Sequence, residues 1–126
     1  MTDNMFSGKR IVITRPRAQS KELQHTLENS GATCVVIPLI DIAQPDDEGF
    51  AFEQAMRNLS DYEWLVCTSA NGASRVAPYL SNSATRPKLA AVGSATALAF
   101  VRDVEFVPSS ATGALLAEEF PVTSGK

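Results

Sequence analysis

Four short runs of uninterrupted apolar residues recur along this chain, with helix-length segments between most of them. They are Ile11-Val12-Ile13, Cys34-Val35-Val36-Ile37, Trp64-Leu65-Val66-Cys67 and Leu89-Ala90-Ala91-Val92. A weaker fifth run covers Val104 to Val107. A strand with one wet face alternates apolar and polar residues, whereas an unbroken run suits a strand covered on both faces, as in a parallel sheet. Parallel strands need crossover connections, and the intervening segments have helical patterns. Arg17 to Asn29 places Leu23 and Leu27 on one face and is followed by Gly31 as a C-terminal stop. Glu48 to Asn58 carries Phe50, Phe52 and Met56, with Leu59 just beyond. A third helix is expected from about Asn71 through Val76 and Leu80, fraying near Pro78. Ser94 reads as the N-cap of a fourth, with Ala97, Leu98 and Val101 inward, and Thr112 or Ser110 caps a fifth carrying Leu115, Leu116 and Phe120. The alternation predicts an α/β fold: an open parallel five-stranded sheet, flavodoxin-like in order 2-1-3-4-5, with helices on both faces.

One segment breaks the rhythm. Asp41 to Gly49 is acidic and carries Pro45 and Gly49, so it reads as a hinge. The expected organisation is a disordered N-terminus at 1–8, a β-α-β unit at 9–40, a hinge or crossover at 41–49, the remainder of the α/β domain at 50–120 and a polar tail at 121–126.

Composition narrows the function. With 126 residues, 44% hydrophobic and 20% charged, the chain has the length and apolar content of one globular domain. A net charge of −3 gives no electrostatic footprint for nucleic acid. Nothing approaches a membrane helix, and 1–8 lacks a signal-peptide core. Cys34 and Cys67 lie inside apolar runs and read as small buried hydrophobes in a reducing, cytoplasmic setting. One His and two Cys make no zinc set, so no metal is expected. The P-loop, the dinucleotide fingerprint and the nucleophile elbow are all missing. His25 falls mid-helix on a solvent-facing position, and Asp61 and Glu63 flank Tyr62 at the wrong end of a strand for chemistry.

Ligands in an open parallel sheet gather at the carboxyl ends of the strands. Those ends are rich in hydroxyls: Thr14-Arg15-Pro16-Arg17, Thr68-Ser69-Ala70-Asn71-Gly72, Gly93-Ser94-Ala95-Thr96 and Pro108-Ser109-Ser110-Ala111-Thr112-Gly113. Backbone N–H groups, small side chains and an Arg suit an anionic ligand. The same residues also serve as ordinary helix caps, and Arg15 could pair with a surface carboxylate.

The ordered blocks carry a resemblance. Gly8-Lys9-Arg10-Ile11-Val12-Ile13-Thr14-Arg15-Pro16 resembles the opening of uroporphyrinogen-III synthases, as do Gly31-Ala32 and the Pro38 and Ile42 positions that follow. Tyr62 to Gly72 is similar to that family's second block, Lys88 to Ala97 to its third, and Val107-Pro108 with Ala111 to Leu116 to its fourth. The resemblance implies a HemD-like fold and a cytoplasmic lyase of tetrapyrrole, porphyrin and haem biosynthesis. Such an enzyme closes hydroxymethylbilane to uroporphyrinogen III, inverting ring D through a spiro intermediate and releasing water, without cofactor. The substrate, a linear tetrapyrrole polycarboxylate, would be held by Thr14, Arg15, Ser69, Ala70, Asn71, Gly93, Ser94 and Thr96, with Ser109 and Ser110 alongside; no proton-transfer residue is implied.

Family members have two α/β domains around a cleft, so the chain reads as the first of two pseudo-repeats. The family's first β-α-β unit docks with its second half. An isolated half would either fold that unit back on itself or exchange it with a copy in a domain-swapped homodimer, with little or no synthase activity alone. The other readings are a non-catalytic α/β module binding a small polyanion and a half-domain that acts only when paired with another chain.

Overall fold

In the computed structural model, which describes residues 4–80, 87–100 and 102–121, the first two apolar runs pair with each other, and so do the third and fourth. Both pairs are parallel, and they belong to different compact units, Met1–Glu48 and Gly49–Lys126. The boundary falls at the end of the acidic Pro/Gly segment.

In the first unit, β1 (Arg10–Ile13) and β2 (Thr33–Val36) run in register from Arg10 opposite Thr33 to Ile13 opposite Val36. The crossover is α1 (Arg17–Asn29), which packs on β2. Its first turn is fastened by Ser20, which is buried and donates its hydroxyl to the carbonyls of Arg15 (3.1 Å) and Pro16 (3.0 Å). Gly31 ends the helix at φ +96°, where an L side chain is strained. A Cβ there would also lie 3.1 Å from the Ser7 nitrogen. The N-terminal arm, expected to be unstructured, is tied down from Phe6 onward: the Phe6 N–H donates to the Ser30 carbonyl at 2.9 Å.

The sheet of this unit is covered by α1 on one face. Ile13 is 3% exposed, whereas the alternate residues Val12 (57%), Val35 (46%) and Ile37 (48%) stay open. Leu39, Ile40 and Ile42 beyond the strand are exposed as well. Leu23, expected inward on α1, is exposed too, and Cys34, expected buried, is only partly covered. His25 is exposed, as its helical position predicts.

The second unit begins with α2 (Phe50–Arg57) and a 3-10 turn, Leu59–Asp61, leading into β3 (Trp64–Cys67). Next come α3 (Ala70–Val76), a second 3-10 turn (Ala77–Tyr79) and β4 (Lys88–Ala91). The third helix is shorter than its pattern suggests. Pro78 has no N–H to continue the α ladder, so the chain tightens into the 3-10 turn. Lys88 stands opposite Trp64 and Ala91 opposite Cys67. The core is Cys67, Ala73, Val76, Leu89, Ala91 and Phe100, with Phe52, Met56, Leu65 and Leu80 packed against it. Leu89, Ala90 and Ala91 are fully buried, as expected of a strand covered on both sides.

The five-stranded sheet does not form among the described residues. The fifth run reaches only one parallel bridge, Phe106 with Ala90. The Leu89 N–H, which a longer ladder would give to a main-chain carbonyl, instead donates to a carboxylate oxygen of Glu105 at 2.6 Å. That side chain takes the place of a main-chain partner just before the Phe106 bridge.

Helix α4 (Ser94–Leu98) begins one residue earlier than a Ser94 cap would require. Gly93 occupies the cap position and Ser94 is the first helical residue. Leu98, expected inward, is 84% exposed, because a five-residue helix turns it away from the core that Ala97 touches. Val101 lies outside the described residues. Helix α5 (Gly113–Glu119) is capped by Thr112, whose hydroxyl oxygen accepts from the Leu115 N–H at 3.2 Å. Phe120 anchors its far end against Trp64 and Phe106, at ring-centroid distances of 4.9 and 5.6 Å. No helix is long and apolar enough to cross a membrane among the described residues.

Candidate functional site

Parallel pairing in the second unit brings three of the hydroxyl-rich segments to one edge. The Val92 N–H donates to the Cys67 carbonyl at 3.0 Å, so the turns after β3 and β4 leave the sheet side by side. The Ala91 N–H donates to the Phe106 carbonyl at 3.0 Å, which sets the Pro108–Thr112 segment beyond the next position. Gly93 closes the group: a Cβ on it would stand 3.2 Å from the Ala111 Cβ. At φ +87° and ψ 156°, Gly93 also occupies a backbone region that essentially only glycine enters. Ser69 to Asn71, Gly93 to Thr96 and Ser109 to Ser110 therefore gather at the carboxyl edge, and α3 packs against α4 there.

Ser69 is the N-cap of α3, its Oγ accepting from the Gly72 N–H at 3.2 Å. Capping uses an oxygen lone pair, so the hydroxyl proton remains a donor to an external anion. Capping and ligand binding are thus compatible in one side chain. Ser69, Ala70, Asn71 and Ser94 are all exposed. Thr96 is not. It is 4% exposed, two residues into α4 on the face turned inward, so its hydroxyl is not presented to solvent as that of Ser94 is.

Ser109 and Ser110 are exposed and differently engaged. The Ser110 carbonyl accepts from the Thr112 N–H at 2.8 Å. Ser109 donates twice to the carboxylate of Glu119, from its hydroxyl to Oε1 and from its backbone N–H to Oε2 at 2.8 Å. Those two bonds, the hydroxyl one foremost, hold the Glu119 carboxyl below the usual glutamate range. Glu119 was invisible to sequence reasoning, because no periodicity links a loop residue to a helix end ten positions on.

Thr14 and Arg15 belong to the first unit. The Thr14 carbonyl accepts from the Leu39 N–H at 3.1 Å, and both side chains are exposed. No carboxylate lies within ion-pair distance of Arg15 among the described residues, so the surface-pair alternative is not realised there. Beside them is an open hollow of about 390 Å³ lined by Pro16, Arg17, Pro38, Leu39, Ile40 and Asp41. Arg17 and Leu39 thus join the polar strand end to the apolar stretch after β2. A second hollow of about 380 Å³, in the second unit, is lined by Leu98, Phe100, Arg102 and Val104 among others.

Both cysteines are thiols. Desolvation pushes the Cys67 thiol up, and desolvation together with the nearby Glu28 charge does the same for Cys34. Neither is activated as a nucleophile. No group of three His, Cys, Asp or Glu side chains that could hold a metal ion occurs among the described residues.

The arrangement gathers small residues, hydroxyls and backbone N–H groups at one sheet edge. The chain is 27% identical to uroporphyrinogen-III synthase of Synechococcus elongatus over 96% of its own length and 48% of the relative's. It is 32% identical to the porphyrin biosynthesis protein HemD of Ruminiclostridium josui over 73% of its own length and 19% of the relative's. It thus spans about half or less of the length of the curated relatives it matches. No solved structure matches it significantly. The family profile of uroporphyrinogen-III synthase HemD matches residues 21–126, which takes in all three segments of the carboxyl edge of the second unit. By that match the chain belongs to the uroporphyrinogen-III synthase family.

Proposed function

We propose that this chain works as part of a uroporphyrinogen-III synthase, closing hydroxymethylbilane to uroporphyrinogen III with inversion of ring D and loss of water. The observation that carries the reading is the family match across 21–126, which spans every hydroxyl-rich turn at the edge where β3 and β4 end. The substrate carboxylates are received by the backbone N–H groups and hydroxyls of Ser69, Ala70, Asn71, Gly93, Ser94, Ser109 and Ser110, and in the first unit by Thr14 and Arg15. Thr96, being buried, contributes by setting the course of α4. A site of this kind acts by holding a flexible polyanion in the bent shape that ring closure needs, which is catalysis by orientation. No cofactor takes part. Two cysteines that remain thiols suit a reducing, cytoplasmic setting.

The test is to supply hydroxymethylbilane to the protein as its own cell makes it and to separate the products by ring-D orientation. Accumulation of the type III isomer is the expected result. Formation of the uninverted isomer alone, with tight binding of the product analogue uroporphyrin, would establish the non-catalytic polyanion module instead.

The 126-residue chain by itself is proposed to assemble as a domain-swapped homodimer, in which the β1–α1–β2 unit is exchanged through the Asp41–Gly49 hinge to complete a five-stranded sheet of order 2-1-3-4-5. The open apolar residues Val12, Val35 and Ile37 and the unit boundary at Glu48 support this. Little or no synthase activity is expected of that dimer. Light scattering after gel filtration decides the assembly: one-chain mass at every concentration rules it out.

A further inference from the structure

We infer that the Ser109 N–H and hydroxyl form a carboxylate-receiving pair that Glu119 fills as a built-in competitor, so that a ligand carboxylate enters by displacing it. The inference rests on the proposed reading that polycarboxylates bind at this edge. Two donors on one residue engage the two oxygens of one carboxylate, Oε2 from the N–H at 2.8 Å and Oε1 from the hydroxyl. A substrate carboxylate at the same place would be held by the same two bonds, because the pair recognises the group and not the chain that bears it. Both residues are exposed, so exchange with a dissolved carboxylate needs no opening of the core. Glu119 is the last residue of α5, and Phe120 beside it is pinned by Trp64 and Phe106, so the competitor is held close at high effective concentration. Thr112 caps α5 independently of Glu119, which lets the carboxylate leave without undoing the start of the helix.

The experiment measures binding of uroporphyrin, an octacarboxylate, to four forms of the protein: wild type, Glu119→Ala, Glu118→Ala and the double variant Glu119→Ala with Ser109→Ala. Glu118 is exposed, and the Ser109 donors bond to Glu119 and not to it, so its removal reports the general effect of losing one negative charge. Glu119→Ala is expected to tighten binding about threefold beyond Glu118→Ala, the scale of an exposed charged contact. The double variant, which keeps the residue-109 N–H and loses the hydroxyl, should give back most of that gain and fall between the Glu118→Ala and Glu119→Ala values. Emission from Trp64, the sole tryptophan, checks that the end of α5 stays docked. If that emission shifts in Glu119→Ala, the comparison is repeated with Glu119→Gln, for which a smaller gain in the same direction is expected. Equal affinities for the Glu118 and Glu119 variants overturn the inference and leave the functional reading standing. Failure of all four forms to bind uroporphyrin overturns the functional reading and the inference with it.

Discussion

The two parallel strand pairs start from similar sequence and end in different surroundings. β4 reads Lys-Leu-Ala-Ala and has its last three residues fully buried, whereas β1 reads Arg-Ile-Val-Ile and leaves Val12 57% exposed. β4 lies between β3 and the Glu105–Phe106 segment, with helices packed around it. β1 and β2 have α1 on one face, and the alternate side chains Val12, Val35 and Ile37 are open. An unbroken apolar run therefore marks a strand that requires two covers, and says nothing of whether its own unit supplies both. The second unit supplies them for β4, though not along all of β3, where Val66 is 42% exposed. The first does not.

The largest effect expected from this contrast is on stability. Leu89→Ala removes a fully buried side chain and should cost about 3 kcal/mol, whereas Val12→Ala at a half-open position should cost about 0.5 kcal/mol. Urea denaturation of the two variants measures both. Equal losses would mean that the Val12 face is covered in solution, which is what the exchanged dimer requires.

Glycine positions sharpen the same comparison. Gly93→Ala places a methyl group 3.2 Å from Ala111 in a backbone region closed to other residues, and should destabilise the second unit by about 2 kcal/mol. Gly8→Ala, at φ +72° with open space around it, should cost about 1 kcal/mol. Thermal unfolding that ranks them the other way would show that the carboxyl edge is looser than its geometry.

Ser69→Ala removes the α3 cap and should cost about 1 kcal/mol. In the complete enzyme it should reduce turnover more than this loss explains. Full activity with only a lowered melting temperature would assign Ser69 to capping alone.

The smallest perturbation needs no mutation. Alkylation by iodoacetamide should label the partly exposed Cys34 well before the buried Cys67. Both thiols have their pKa raised, so the reactive thiolate is scarce at neutral pH and labelling of Cys34 should keep accelerating above pH ~8.5, the ordinary thiol value. Simultaneous labelling in mass spectra would break the contrast between an open first unit and a closed second one.

What this chain's sequence determined by itself is local. The extent of α1, the stop at Gly31, the break at Pro78, a hydroxyl cap on α5 at Thr112 or Ser110 and the identity of the four strands all follow from φ preferences, missing N–H groups, short hydroxyl side chains and hydrophobic period, which act within a few residues. The hydroxyl-rich strand ends were legible for the same reason, as was the family resemblance built on them. Tertiary structure alone decided the rest. The fifth run kept to one bridge, Phe106 with Ala90, and beside it the Glu105 carboxylate took the Leu89 N–H, a contact across sixteen positions. Thr96 went inside and Leu98 outside because a five-residue helix takes its orientation from its neighbours. Glu119 came to fill the Ser109 donors because aromatic packing around Phe120 placed the end of α5 beside that loop. Contacts of this kind depend on which surfaces meet, and no spacing along the chain encodes that.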